Sequence, residues 1–376
     1  MESGSRALGL RIKRVDFLQF RNYDKFNLDE IGNLTVLVGK NGVGKTNVLE
    51  GIQLFTSAYS FRHPQISQLI HQSCEEAHIS LSAGDGNREL DIALALEPGK
   101  KRYSVNGKTK TAADVRGILP SVTFIPDDLQ MVKHSSSIKR TTIDNLGMQL
   151  TRNYYLVRRD FEKTISYKNR LLRDEAAPIL VESINETLVT CGAQLFCLRK
   201  ALFDRLMPLV SSAYSLLSGE GEEFSATYLP SWDRVSGDSR KDCPSSRDEV
   251  REVLALELDK RMEEERRRAR CLIGPHNDEI VFYLAQKDAA AYASQGQQRT
   301  IVLAWKLAEV QVIREVLGVQ PILLLDDVLS ELDGSRREML VQLVDEDIQT
   351  FITATDLDGF SQGLVERARV VELPIR

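Results

Sequence analysis

Residues 39–46 read GKNGVGKT, a spacing of glycines, lysine and threonine that suits one task, the cradling of a phosphate chain. Gly39, Gly42 and Gly44 let the backbone curl so that successive N–H groups point inward, and a helix starting there adds its positive N-terminal end. In such a cradle Lys45 reaches the β- and γ-phosphates and the Thr46 hydroxyl holds Mg²⁺. The plain alternative is a chance glycine-rich turn. The flanks argue against it: NLTVLVG before the loop reads as a strand, and Val48, Leu49, Ile52 and Phe55 after it recur at helical spacing.

Two further clusters lie far along the chain. Residues 321–328 read PILLLDDV, an apolar run that predicts a buried parallel strand delivering Asp326 and Asp327 at its C-terminal end, where ligands of open α/β sheets bind. Asp326 can bind the metal, and Asp327 can orient or deprotonate an attacking water. Many strands end in acidic residues, so this pair gains its meaning from the glycine loop. Residues 293–300 read ASQGQQRT directly before an amphipathic helix. The Ser294 hydroxyl, the Gly296 backbone and the helix N-terminus form an anion site, unless Ser294 only caps its own helix.

The elements that must position these groups follow from the pattern. The chain alternates over IKRVDFLQF, HISLSA, LDIALAL and KRYSVNGKT, which predicts β-strands, the last a hairpin turning at Asn106-Gly107. From about Asp144 to Gly219 the pattern is helical. A polar passage with one short strand follows, then the charged helical segment EVLALELDKRMEEERRRARCLIG, and after Gly274 strand, helix and strand return. The expected class is therefore α/β: a P-loop mixed sheet with helices at the two ends, residues 1–125 and 272–376, and a helical arm, residues 126–271, inserted between them.

The chain has 376 residues, 42% hydrophobic and 27% charged, the balance of a globular protein. Its net charge of −5 speaks against non-specific coating of nucleic acid but not against a local basic face. No apolar run is long enough for a membrane helix and no secretion signal opens the chain, so a cytoplasmic protein is expected. The five cysteines, Cys74, Cys191, Cys197, Cys243 and Cys271, are scattered and make no CxxC, so no disulfide framework is suggested. His71, Cys74 and His78 share one helical side but lack a fourth ligand, and surface polar residues are the favoured reading.

ASQGQQRT looks like the signature motif of the ABC ATPase superfamily and, as SQGQQRT, resembles the RecF family of bacterial DNA-repair proteins. FRNY (Phe20–Tyr23), GKNGVGKTN (Gly39–Asn47), SFR (Ser60–Arg62), IGPHND (Ile273–Asp278), LLLDDVLSELD (Leu323–Asp333) and FITATD (Phe351–Asp356) agree, in the family's order and over almost the whole chain. The resemblance implies an ABC-type ATPase head like those of Rad50 and SMC proteins, two copies of which clamp two ATP molecules. It implies that Arg21, Asn22, Asn41 and Asn47 join the loop in binding nucleotide, that Ser294, Gly296 and Gln297 contact the γ-phosphate held by the other copy, and that Ser330–Asp333 crosses the same interface. Thr355 stands where ABC proteins place a switch histidine, and can hydrogen-bond a γ-phosphate but not titrate near neutrality. Asp327 replaces the usual Glu, one methylene longer, so slow hydrolysis is expected. Asn277 replaces an Arg common in the family.

The resemblance also implies binding to duplex DNA and to single-strand/double-strand junctions, and work with RecR, RecO and RecA in gap repair. On a helical projection of residues 152–173, Arg152, Arg159, Lys163 and Arg170 fall within about 40° of one another, opposite Tyr154, Val157, Phe161, Ile165 and Leu172. A solvated helix face is the bland reading, and the resemblance favours DNA. EEERRRAR, residues 263–270, mixes signs on every face and is expected to be a self-paired surface helix. A transporter subunit would carry the signature much closer to the glycine loop, an SMC or Rad50-type protein would carry long heptad repeats, and a nuclease or kinase would need a further acidic cluster or acceptor site.

Overall fold

The computed structural model describes residues 9–133, 136–219, 222–236, 244, 246–328, 348–358 and 360–374. The chain forms two compact units, residues 1–128 with 306–376, and residues 129–305. Strands β1 (Arg11–Phe20), β2 (Tyr23–Leu28), β3 (Leu34–Val38), β4 (Ala77–Gly84), β5 (Glu89–Glu97), β6 (Lys100–Val105), β7 (Lys108–Lys110) and β8 (Ser121–Phe124) belong to the first unit. The second unit contributes β9 (Phe224–Leu229), β10 (Glu279–Leu284) and β11 (Lys287–Asp288), and the chain then returns to the first for β12 (Ile322–Asp326), β13 (Thr350–Ala354) and β14 (Arg369–Glu372).

In the first unit an antiparallel sheet, ordered β2-β1-β4-β5-β6-β7, accompanies a parallel sheet ordered β14-β3-β13-β12-β8. The two sheets differ in sequence as their environments require. LTVLV, ILLLD and TFITA are buried almost throughout, as parallel strands covered on both faces must be, whereas β1 and β4 alternate between buried and open positions. The P-loop helix, Lys45–Thr56, is buried at every position from Val48 to Thr56 and shares one apolar cluster with residues of both sheets. Its apolar residues therefore need not keep to one stripe. The β6–β7 hairpin turns at Asn106 (φ 48°) and Gly107 (φ 74°), two successive left-handed residues that Asn-Gly supplies at little strain.

The second unit is mainly helical, with helices Ser136–Leu150, Arg152–Arg173, Pro178–Ser218, Arg247–Lys260 and Met262–Arg268 beside a small sheet ordered β11-β10-β9. The sequence pattern assigns residues 272–305 to the head. In the structure β10 pairs along its length with β9, so these residues pack with the second unit, and the chain passes between units within the helix Gln295–Leu317. Strand pairing across 50 residues leaves no local trace. The short helix Ser231–Ser236 is also absent from the sequence reading.

The charged segment 263–270 is self-paired and largely open, as expected, with Arg268 on Glu264 at 2.8 Å, and departs from that role at Glu265 alone. Glu265 is fully buried, pairs with the equally buried Lys168 at 2.6 Å, and accepts the Leu272 N–H at 2.7 Å. Lys168 lies on the apolar side of the helix Arg152–Arg173, where a lysine needs a buried partner. Removing either partner would strand a charge in the interior.

IGPHND forms the centre of a second buried network. Arg199 is bidentate on Asp144 (2.8 and 2.9 Å) and donates to the Pro275 carbonyl at 2.6 Å. Tyr228 and the Ser231 N–H donate to Asp278 at 2.6 and 2.8 Å. Asn277 donates to the Leu272 carbonyl at 2.8 Å, closing the turn. Burial pushes the neighbouring His276 imidazole down to about 4, with the charges of Arg140, Lys168 and Arg199 acting in the same direction. The unfolded chain therefore takes up this proton first as pH falls. The stability tied to neutral His276 is full above the ordinary histidine pKa and is lost as pH drops towards the folded value, a loss of about 2–3 kcal/mol. Denaturant unfolding at neutral and acid pH is expected to show that fall, and His276→Gln is expected to flatten it.

Candidate nucleotide site

The glycine loop leaves β3 and enters the P-loop helix. Gly44 caps that helix at φ 110°, and a Cβ there would lie 2.6 Å from the Tyr23 hydroxyl and 2.8 Å from Asn22. Gly39 has no room either, since a Cβ would meet the Leu373 carbonyl at 2.7 Å. The glycine spacing thus answers to close packing as well as to backbone freedom. Lys45 folds back over the loop and donates to the carbonyls of Gly39 (2.5 Å) and Lys40 (3.1 Å). Asn41 and Gly42 are exposed at the loop's crest.

The parallel sheet places β13 between β3 and β12, so three strand ends converge on one edge. Gly39 N–H donates to the Ala354 carbonyl at the end of β13 (3.3 Å), tying loop to strand. Thr46 donates to Asp326 Oδ1 at 2.9 Å, and Thr353 donates to the same oxygen at 2.8 Å. Burial raises the pKa of Asp326, while the hydrogen bonds from Thr353 and Thr46 and the charge of Arg62 oppose that rise. Asp327, just past the strand, adopts a left-handed φ of 51° and its N–H donates to Thr353 (2.9 Å). Thr355, exposed beyond β13, donates to Asp356 at 3.0 Å. The glycine loop, Asp326 and Asp327, and Thr355 lie at this edge.

FRNY acts on the loop from behind. Asn22 donates to the Val43 carbonyl (3.1 Å) and accepts from Asn47 (2.7 Å). The Arg21 guanidinium is bidentate on the buried Glu50, at 2.8 and 2.6 Å, and donates to the Gln68 carbonyl at 2.8 Å. Glu50 also accepts from Ser60 (2.5 Å), and Arg62 donates to Asn47 at 2.8 Å with Glu50 3.8 Å away. Sequence reasoning names neither Glu50 nor Arg62 as site residues. A carboxylate inside the mainly apolar VLEGIQLF is the signal in the sequence, because such a charge must find a partner.

The signature lies in the second unit. Ser294 and Gln297 form a reciprocal cap, the Ser294 N–H donating to Gln297 Oε1 (2.7 Å) and the Gln297 N–H to the Ser294 hydroxyl (3.3 Å). The Gln297 amide donates to both oxygens of Glu222, at 2.7 and 2.8 Å. Gly296 lies in the first turn of that helix, and Ser294 stays exposed. The helix-capping alternative is thus realised, and it leaves the serine accessible to a ligand. Ser330–Asp333 lies outside the described residues. His71, Cys74 and His78 have other neighbours, Ser73, Gln19 and Glu76 respectively.

On the helix Arg152–Arg173, Arg152, Lys163 and Arg170 are exposed and Arg159 is partly so, paired with Asp160 at 2.8 Å. Tyr154, Val157, Phe161 and Leu172 are buried on the other side, and Ile165 is half-buried. Arg170 lies 5.1 Å from the Tyr167 ring centroid. Among the described residues no helix is long and apolar enough to cross a membrane.

The model of the RecF/RecN/SMC N terminal domain matches residues 11–371. The DNA replication and repair protein RecF of Symbiobacterium thermophilum is 37% identical over 346 residues, covering 90% of this chain and 90% of that protein. Its counterpart from Halalkalibacterium halodurans is 32% identical over 370 residues, covering 97% and 98%. The solved structure of the recombination mediator protein RecF with ATP in the RecFOR pathway superposes with a TM-score of 0.87 at 27% identity, covering 96% of each chain. An Smc head bound to the C-winged helix domain of ScpA superposes at 0.53 with 16% identity over 97% of this chain and 94% of that one, a likeness of fold. The fold is that of an ABC-type ATPase head, and the chain belongs to the RecF family of DNA replication and repair proteins.

Proposed function

We propose that the chain is an ATP-dependent DNA-binding protein of recombinational gap repair, whose two copies close on DNA when ATP binds and part after slow, DNA-stimulated hydrolysis. The observation that carries this is the meeting of Thr46 and Asp326 at 2.9 Å across about 280 residues of sequence. It places a hydroxyl and a carboxylate oxygen, the donor set Mg²⁺ prefers, beside the glycine loop. Thr46 and Asp326 would hold the ion, which when bound neutralises charge on the β- and γ-phosphates. Lys45 would exchange its loop carbonyls for phosphate oxygens. Asp327 would orient the attacking water, and its short side chain fits a slow reaction.

The exposed Ser294 supports a shared site. Its helix N-terminus belongs to the unit that does not carry the glycine loop, and the family resemblance assigns it to the γ-phosphate of a second copy. ATP would thus act as the adhesive of a homodimer. On this reading the first unit supplies the nucleotide-binding half of the head, and RecR, RecO and RecA are the partners that the RecFOR relatives suggest. Sedimentation with and without ATP, each with and without duplex DNA, tests the reading: a mass that stays at one chain under every condition rejects it.

The basic face of the helix Arg152–Arg173 is the DNA-binding surface this reading expects first. Replacing Arg152, Arg159, Lys163 and Arg170 with Ala should weaken duplex binding and lower the slope of log affinity against log salt by up to about 3–4, near 0.9 for each phosphate no longer neutralised. Titration over a range of salt measures it. A slope equal to the wild type would return these residues to a solvated helix face.

A further inference from the structure

The side-chain amide of Gln297 has two ends of different chemistry, an oxygen that accepts and a nitrogen that donates. The cap of its own helix fixes which is which. The Ser294 N–H, at 2.7 Å, can meet only an acceptor, so the atom it meets is the oxygen and the other end is the nitrogen. That donor end is the part of the side chain able to hold an anion. It is taken by Glu222, whose two carboxylate oxygens accept from it at 2.7 and 2.8 Å.

Glu222 lies between the long helix Pro178–Ser218 and β9, and the chain around it is tied down. Phe224, two residues on, pairs with Leu284 of β10. The Glu223 carbonyl accepts the Ala285 N–H at 3.0 Å, and the Ser211 hydroxyl donates to the Phe224 carbonyl at 3.0 Å. Tyr214, whose ring is buried, donates its hydroxyl to Glu222 Oε2 at 3.0 Å. A carboxylate on a free loop would turn out into water, whereas this one is held within reach of the signature.

A neighbour can serve a ligand-binding amide by orienting it, or it can occupy the end that the ligand needs. Orientation is already supplied at the oxygen by the Ser294 N–H. Glu222 holds the nitrogen, and it brings a negative charge to the N-terminal turn of a helix, where the γ-phosphate of a second copy is expected. Two anions cannot share that donor, and side by side they repel.

We propose that Glu222 is an autoinhibitory substitute for the γ-phosphate: in the single chain it occupies the signature amide, and ATP on a second copy must displace it before the two copies close. The inference rests on the shared-site reading above. Its test compares Glu222→Ala and Glu222→Gln with the wild type in the full chain. Glu222 belongs to the unit without the glycine loop, so monomer binding of a fluorescent ATP analogue should be unchanged in both variants, which also checks folding. Glu222→Gln keeps an oxygen for Tyr214 and Gln297 and loses only the charge, so it decides the matter if the alanine variant does not fold. The charge of an exposed carboxylate is worth at most about fivefold, and a closed dimer would hold two of them. The association constant with ATP, measured by sedimentation, is therefore expected to rise by up to about 25-fold in Glu222→Ala and by less in Glu222→Gln. A constant equal to the wild type overturns the proposal, as does a rise that is equally large without nucleotide. A fall in Glu222→Ala that Glu222→Gln restores also overturns it, and would make Glu222 an orienting partner of Gln297. Should the wild type and both variants all stay monomeric with ATP, the shared site itself fails, and this inference with it.

Discussion

Lys45→Ala is expected to leave a folded chain whose ATP turnover falls by on the order of 10²–10³-fold or more, the scale set by removing one charged or dipolar group from a transition state. The ammonium rests on two loop carbonyls, which water can satisfy in its absence, so the loss should appear in chemistry more than in stability. Asp326→Asn should be as damaging for a different reason. The amide oxygen can still accept from Thr46 and Thr353, keeping the strand end in place, but the charge that attracts a divalent ion is gone. Phosphate release by both variants, with duplex DNA present, measures this. Turnover at the wild-type rate in either one rejects the site.

Ser294→Arg should separate ATP binding from association. The Ser294 side chain caps its helix, and losing that bond costs about 1 kcal/mol, but the backbone half of the cap, Ser294 N–H to Gln297, survives the substitution. A monomer should therefore fold and bind nucleotide as before. The arginine would fill the exposed position where a second copy's γ-phosphate is expected, so ATP-dependent dimers should vanish in light scattering. Dimers of normal mass would sink the idea of a site shared between copies.

The glycine loop, both aspartates and the serine of the signature were legible in the sequence because each is a local pattern: a spacing, an apolar run, a cap before a helix. What lay hidden was pairing. Glu50 is one more polar letter until Arg21, Ser60 and Arg62 are seen around it. Glu265 reads as one charge among many, and only the buried Lys168 of a distant helix gives it a role. The same holds for β10, whose pattern shows a strand but not the neighbour that moves residues 272–305 into the second unit. Glu222, which occupies the Gln297 amide, could not be anticipated from a polar passage without periodicity.

The order β14-β3-β13-β12-β8 sets the schedule by which the nucleotide site can come into being during translation. The antiparallel strands β1, β2 and β4 to β7 find all their partners among residues 11–110 and can pair as they leave the ribosome. β3 emerges in the same stretch, yet its neighbours are Thr350–Ala354 and Arg369–Glu372, about 300 residues later. At elongation rates of about 5–20 residues per second it waits roughly 15–60 s with both edges bare. The glycine loop therefore has no floor until the last strands arrive, and a nascent chain can carry the whole GKNGVGKT sequence without any capacity to hold ATP.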